Sequence, residues 1–360
     1  MEDKNKNKLK LWIKLVLSVF IIIVLVVGGV FSYTLYKLSD INTTTISKTD
    51  ENLGIKPQVP IEKDEVVKTE VHLKEEVPIK EEVPLKKEEA AEIINIAFFG
   101  VDRRTENEAS RSDAIMIVSI DAVHKKIKIS SIMRDTFVQI KNHGQTKINH
   151  AYAYGGPQLA IRTLNENFNL NIRNFVTVDF FKLEKIIDTI GGVIIDVESN
   201  EISFINSYMG EVATIENKSI SRITKSGPQT LNGLQAVAYS RIRYTAGGDF
   251  VRTERQRTIL LAMLTEIQAL GITEFPALVS KLIPFTETSM SSIDIIKLGT
   301  KVLTSNIMTM EQERFPVDGY CKGKMIDSVW YLVPDMEATL DQLHKFIYED
   351  IKPVPKFPLF

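Results

Sequence analysis

Ile93-Ile-Asn-Ile-Ala-Phe-Phe99, running directly into Gly100, is the stretch on which the fold turns. It reads as a β-strand stopped by glycine, and it marks a change of texture from the ninety residues before it. Moving towards the C-terminus, Ala114–Ile120 and Lys126–Ile132 read as two more strands joined by a short turn at 122–125. Pro157–Phe168 has helical character, with Pro157 suited to a first helical turn. Phe175–Val178 and Val193–Val197 are strand-like. Between them Phe181–Ile190 has helical spacing, closed by Gly191-Gly192. Leu231–Arg241 and Asp249–Leu270 are further helices. Strands mixed with helices predict a layered α/β (α+β) domain, with a central mixed β-sheet sandwiched between helices. Residues 272–345 continue with helix-like stretches and no second linker. One domain over 92–350 is therefore expected, followed by a C-terminal tail, 351–360.

Towards the N-terminus the chain is of another kind. Leu15–Tyr36 holds 22 residues without a charge. As a helix it spans about 33 Å, enough for a bilayer core. Lys4, Lys6, Lys8, Lys10 and Lys14 precede it, so residues 1–14 are expected to stay in the cytoplasm, with everything beyond the span outside. The expected location is the cell membrane, single-pass, with an extracellular C-terminal domain. No small-residue cleavage site follows the apolar run, which favours an uncleaved anchor over a signal peptide. Residues 37–91 read as an extended linker. They contain a six-residue repeat, Lys68-Thr-Glu-Val-His-Leu73, Lys74-Glu-Glu-Val-Pro-Ile79 and Lys80-Glu-Glu-Val-Pro-Leu85, whose prolines oppose a continuous helix.

Composition excludes several classes. The net charge is −2, so no polyanionic partner follows from bulk charge. One cysteine, Cys321, gives neither an internal disulfide nor a multi-cysteine metal site. The five histidines show no zinc-site spacing. No helix-turn-helix signature stands out, and an outward-facing domain lies away from DNA, so no nucleic acid is expected.

Local clustering is more informative. The chain has 13 arginines, none before Arg103. Five of them, Arg241, Arg243, Arg252, Arg255 and Arg257, fall within 17 residues, where an even spread would place fewer than one. The planar guanidinium fork binds phosphate oxygens in pairs. Extending the apolar stripe Ile259, Met263, Ile267, Leu270 backwards along its helix places Gln256 and Arg252 on the inward line, flanked by Arg255. A buried arginine there needs an anion or an internal acid such as Asp249 or Glu254. Arg257 falls on the side expected to face solvent. Arg241 and Arg243 alternate across Ile242 and would share a face in an extended segment. Gly247-Gly248 then turns the chain into a helix N-terminus, a setting suited to a diphosphate.

A second cluster is acidic. Asp102 follows the first strand and Asp113 precedes the second. If the two strands are antiparallel neighbours, the carboxylates meet at one end of the sheet. Such a pair suits magnesium, while turn chemistry is the alternative for each acid. Arg134, just past the third strand, has reach to the same end. Asp249 is either a general base or a helix cap.

Taken in order, these segments resemble the LytR–CpsA–Psr family of Gram-positive cell-envelope enzymes. The resemblance rests on Phe99-Gly-Val-Asp-Arg103, Arg111-Ser-Asp113, Ser131-Ile-Met-Arg-Asp-Thr136, Lys147-Ile-Asn-His-Ala-Tyr152 with Gly155-Gly156, Gly191-Gly-Val193, Leu231-Asn-Gly233 with Tyr239-Ser-Arg-Ile-Arg243, and Asp249 to Gln256. It covers roughly Ile93 to Leu264. Met133 stands where the family often has proline, and Ala114 where it often has threonine.

The resemblance implies transfer of a glycopolymer, such as teichoic acid or capsule, from an undecaprenyl-diphosphate-linked donor to a peptidoglycan acceptor. It implies Mg2+ (or Mn2+) held by Asp102 and Asp113. It implies a diphosphate gripped by Arg134, Arg241, Arg243, Arg252, Arg255 and Gln256, with the prenyl tail in an apolar tunnel. Arg103 would orient the acceptor. A polyprenyl-diphosphate hydrolase and a non-catalytic lipid-carrier-binding regulator are the alternative readings.

Overall fold

The protein is described by a computed structural model covering residues 43–56, 93–103, 110–216, 219–243, 245, 247–305, 307 and 309–357. The expected cytoplasmic tail 1–14, the membrane span 15–36 and most of the spacer 37–91 lie outside the described residues.

After a short helix α1 (Asp50–Leu53) come β1 (Ile94–Val101), β2 (Ser112–Asp121), β3 (Lys126–Ile132), β4 (Phe137–Ile140) and β5 (Gly144–Lys147). Next are α2 (His150–Phe168), β6 (Asn174–Asp179), α3 (Phe180–Thr189), β7 (Val193–Val197), α4 (Ile202–Glu216) and β8 (Gly227–Leu231). The chain continues through α5 (Gly233–Ser240), α6 (Gly248–Leu282), β9 (Glu287–Thr288), α7 (Ser292–Thr304), β10 (Thr309–Phe315), β11 (Cys321–Ile326), β12 (Val329–Pro334) and α8 (Met336–Tyr348). A six-stranded sheet runs β10-β3-β2-β1-β6-β9. β2 and β3 pair antiparallel, β10 and β3 parallel, so the sheet is mixed. The expected α/β class, a central mixed sheet with helices, is what the chain adopts.

The early strands and helices fall close to the sequence reading, and β7 matches it at both ends. The later part does not. The stretch read as helix-like over 272–345 holds β9 to β12 as well as the end of α6, the whole of α7 and most of α8. The β11–β12 hairpin is short, and its outward positions are polar or exposed, which hides a two-residue period.

The described residues group into two compact units, each made of several stretches of chain. One contains Phe98–Ala114, Asn174–Ile307 and the described residues up to Ile46. Its core gathers Ile187, Val193, Ile195, Ile205, Leu231 and Ile259. Helix α6 packs against α5, β7 and α7. It breaks at Gly271, whose φ of 74° is the left-handed region that glycine enters freely.

The other unit contains Ser47–Ala97 (as far as described), Ile115–Arg173 and Met308–Phe360 (likewise). Here the fully buried Lys128 ammonium is 2.7 Å from Asp121 Oδ2 and 3.2 Å from Asp350 Oδ1, and donates to the carbonyl of Ile347. The network ties the end of α8 to the β2–β3 hairpin. Burial pushes the Asp121 carboxyl up, but the His124 N–H, Lys128 and the His124 ring outweigh it and hold the acid below its usual range.

Residues 43–56 depart from the extended spacer expected over 37–91. Thr43 bridges Thr288, and Thr44 N donates to Thr288 O. Further on, Leu53 is fully buried, and its carbonyl accepts from the buried Asn165 Nδ2 at 2.8 Å. Thr49 caps α1 and Gly54 closes it in the left-handed conformation. Buried Ile46 and Leu53, the pairing to Thr288 and the bond from Asn165 hold this short piece in place, and a composition-based reading of disorder passes over them.

Candidate functional site

The site is built where β1 ends and β2 begins. The two strands are neighbours in the sheet, and a Cβ added at Gly100 would fall 2.9 Å from the Ala114 Cβ, so the strands run close at this point. Asp102 leaves β1 one residue after its end, and Asp113 is the second residue of β2. Both line one cavity of about 340 Å³ together with Phe180, Phe204, Ser207, Tyr208, Glu211, Ala238, Arg241, Ile242, Arg243, Arg252 and Gln256. Four of the six residues expected to grip a diphosphate and both expected metal acids therefore share this cavity.

Each arginine of the expected pair faces an acid. Arg241 Nη2 is 3.7 Å from Asp102 Oδ2, and Arg243 Nη2 is 3.7 Å from Asp113 Oδ2. The local backbone differs from the extended pair expected. Asn232 and Gln235 form a reciprocal capping box that starts α5, and Arg241 is that helix's C-cap, with φ −98° and ψ −6°. Both arginines reach the cavity from a helix end and the loop after it. Two rings lie against Arg241, with Phe180 and Tyr208 centroids 4.5 and 4.7 Å from Cζ.

Helix α6 supplies the buried wall. Arg252 is 2% exposed and Gln256 7%, as the inward line predicts. Asp249 does not cap α6, whose N-cap is Gly247. It lies in the first turn, 2.8 Å from Arg252 Nη2, and so orients the arginine. Gln256 Oε1 is buried without a hydrogen-bond partner, an unmet polar atom on the cavity wall.

One expectation is overturned, the solvent exposure of Arg257, and four other expected site residues, Arg255, Arg103, Asp249 and Arg134, are not among those lining the cavity. Arg255 does not line the cavity. Its Nε is 2.7 Å from Glu201 Oε1, its Nη1 donates to Ile242 O and its Nη2 to Thr245 Oγ1. These bonds use the guanidinium to hold the backbone between Arg241 and Arg243. Arg257, expected on the solvent side, is buried, because α6 is covered on more than one face. Arg103 pairs with Glu287 at 3.6 Å and is not a lining residue, and neither is the expected base Asp249. Arg134 belongs to the other unit, where its Nε is 3.5 Å from Asp135 and its carbonyl accepts from Asn149 N.

Sequence reasoning missed α4 altogether. Phe204, Ser207, Tyr208 and Glu211 share one face of it at three- and four-residue spacing and form a cavity wall. The signal was present in that spacing, but Ile202, Ile205 and Met209 make the helix apolar on the adjoining face as well, which blurs the period.

As a cation site the donor set is two carboxylates. Among the described residues no group of three or more His, Cys, Asp or Glu side chains comes together to hold an ion. Two carboxylates are the donor type that suits a hard ion whose remaining ligands are water and phosphate oxygens.

The sequence profile of the LytR_cpsA_psr family matches residues 59–346. The chain belongs to this family. Among relatives, it is 32% identical over 209 residues to the regulatory protein MsrR of Staphylococcus aureus, covering 57% of this chain and 59% of MsrR. It is 30% identical over 256 residues to the polyisoprenyl-teichoic acid–peptidoglycan teichoic acid transferase TagU of Oceanobacillus iheyensis, covering 67% of this chain and 71% of TagU. A solved structure of B. subtilis TagT bound to LI-WTA superposes with a TM-score of 0.58 at 25% identity, over 76% of this chain and 94% of that one. The chain thus spans less than two thirds of the MsrR proteins it matches. It shares the fold of LytR_cpsA_psr domains, with the acid pair and the arginine segment in one cavity.

Proposed function

We propose that this protein transfers a glycopolymer from a polyprenyl-diphosphate carrier to a peptidoglycan hydroxyl. The observation that carries the reading is the convergence of Asp102, Asp113, Arg241, Arg243, Arg252 and Gln256 on one cavity. TagU's name, a teichoic acid transferase, and the TagT complex with LI-WTA support the substrate class. The apolar, uncharged run at 15–36 supplies the single-pass anchor, which keeps the domain near a lipid-linked donor.

In this reading the acceptor oxygen attacks the sugar-side phosphorus. A new P–O bond forms, the bridging P–O bond breaks, and polyprenyl phosphate leaves with the bridging oxygen, while the acceptor's O–H bond breaks and its proton ends on the departing phosphate. Arg241 and Arg243 neutralise charge on the phosphate oxygens from the open side, and Arg252 does so from the buried wall. Water exclusion at Arg252 and Gln256 strengthens those contacts. Asp102 and Asp113 would hold Mg2+ or Mn2+, which when bound supplies further positive charge to the diphosphate.

The test is transfer from a lipid-linked donor to peptidoglycan by wild type, Arg241→Ala and Asp102→Ala. Loss of about 10²-fold or more in each variant is expected. Undiminished transfer in both overturns the site. The name of MsrR favours a second reading, a regulator whose output is carrier binding. Tight binding of polyprenyl diphosphate without any product, with magnesium present, would select it.

A further inference from the structure

Arg241 differs from its neighbour in how it is held. Both Arg241 and Arg243 stand 3.7 Å from a carboxylate oxygen, longer than a hydrogen bond. Neither carboxylate therefore fixes the plane of its guanidinium. Arg243 is 48% exposed, whereas Arg241, at 32%, lies against the rings of Phe180 and Tyr208. We propose that Phe180 and Tyr208 are positioning residues, a two-ring clamp that presents the Arg241 guanidinium edge to the diphosphate. The inference rests on the reading of Arg241 as a diphosphate ligand.

Rings suit this task for a physical reason. A carboxylate at bonding distance occupies N–H donors. An aromatic face instead attracts the cation through its quadrupole and leaves the five N–H groups at the guanidinium edge. The Arg241 donors therefore stay available to phosphate oxygens while the plane is restrained. Arg255 shows the opposite arrangement, with its donors committed to Glu201, Ile242 O and Thr245.

The clamp is also placed by helix packing, not by chance contact. α3 and α5 pack together, and α4 packs on α5. At one end of the α3–α5 pair, Gly233 N donates to Asp188 Oδ1 at 2.7 Å. At the other end the Phe180 ring meets Arg241. The two contacts lie eight residues apart on each helix, about 12 Å of rise in both, so the antiparallel pair stays in register between them. Asp179 caps α3 immediately before Phe180, accepting from Lys182 N at 2.8 Å, which fixes where that helix begins. Tyr208 comes from the α4 face that walls the cavity. Both rings are half-buried lining residues, and neither belongs to the set of fully packed core side chains. Burial raises the Tyr208 hydroxyl above its usual range, with Arg241 opposing and Asp102 adding to the shift, consistent with all three groups sharing one electrostatic environment.

The experiment has two arms on the full-length protein. In the first, transfer from a lipid-linked donor and binding of farnesyl diphosphate are measured for Phe180→Leu, Tyr208→Leu and Tyr208→Phe, each alone and combined with Arg241→Ala. Removing either ring is expected to lower kcat/KM about tenfold. Tyr208→Phe, which keeps the ring, is expected to recover most of that loss. In the Arg241→Ala background the ring substitutions should cause no further loss, because the rings act through the arginine. Equal losses in both backgrounds, or no loss in either, overturn the clamp. So does a Tyr208→Phe as damaged as Tyr208→Leu. In the second arm, arginine-labelled protein reports rotation and solvent exchange of the Arg241 guanidinium by NMR. Restriction in wild type that is released by Phe180→Leu or Tyr208→Leu supports the clamp, and free rotation in wild type overturns it. If wild type neither binds farnesyl diphosphate nor transfers, the functional reading fails, and the NMR arm still decides the clamp.

Discussion

Arg255 Nε lies 2.7 Å from Glu201 Oε1, with both side chains at least 95% buried. The pair joins α6 to the start of α4, and through the Arg255 bonds to Ile242 O and Thr245 Oγ1 it sets the loop that carries Arg243. Glu201 also accepts from Glu198 N, and together with burial it raises the nearby Tyr239 hydroxyl to about 12, burial being the larger cause. A buried pair broken on one side leaves a charge with no partner. Glu201→Ala is therefore expected to destabilise the protein by about 3–5 kcal/mol. The combined replacement Glu201→Leu with Arg255→Met should recover much of that stability but not the loop geometry. Urea denaturation and transfer assays on the two variants check both halves.

Acid should weaken the unit that holds α8. Asp121 and Asp350 both have folded-state values below their usual range. For each, burial pushes upwards and is outweighed, by the His124 N–H and Lys128 for Asp121, and by Lys126 and Lys128 for Asp350. A depressed carboxyl contributes stability that is fully present above the unfolded value of about 3.9. That contribution is lost as pH falls through the folded value. Unfolding free energy is thus expected to drop below about pH 4, and Asp121→Asn should flatten that part of the curve. An unchanged acid slope in Asp121→Asn would refute the assignment.

How far the sequence reached can be judged at particular residues. Ile93 to Gly100 announced a strand because a β-rich run ends at a turn-forming residue, and β1 is there. Arg252 and Gln256 were legible because one apolar stripe on α6 extends backwards through them. The partners of Arg255 were not legible, because arginine count and spacing carry no information about them. Its acid, Glu201, lies 54 residues away and meets it only once α4 and α6 are packed. Tyr208 and Phe180 were invisible for the same reason: a ring becomes a clamp only when three helices bring it to one guanidinium. Long-range pairings of this kind are made by tertiary packing, whereas period, caps and turns are local.

Helix register at the site depends on Gly233. A Cβ built there would run into the carbonyl oxygen, carbon and Cα of Glu184, which are backbone atoms of α3 with no rotamer to escape into. Gly233→Ala must push α3 away from α5. Overpacking of this kind typically destabilises by about 1–3 kcal/mol. The shift should also lengthen the Gly233–Asp188 hydrogen bond and loosen Phe180 from Arg241. Expected outcomes are a lower Tm and a fall in transfer larger than the fraction unfolded explains. By contrast, alanine at Gly210, where an added Cβ meets nothing within 4 Å, should leave Tm nearly unchanged.

Removal of divalent cations distinguishes a metal pair from a pair of arginine partners. If Asp102 and Asp113 hold Mg2+ or Mn2+, chelation should abolish transfer, and added magnesium should restore it. Asp102→Asn and Asp113→Asn should each raise the magnesium concentration needed for half-maximal rate, since each removes one charged oxygen donor from a two-carboxylate set. If the acids serve only to balance Arg241 and Arg243 across their 3.7 Å separations, chelation should leave the rate intact. The same substitutions would then tighten diphosphate binding by unmasking the arginines. Titrating the rate against magnesium for wild type and both variants separates the two cases, because only a metal-holding pair shifts the midpoint of the titration.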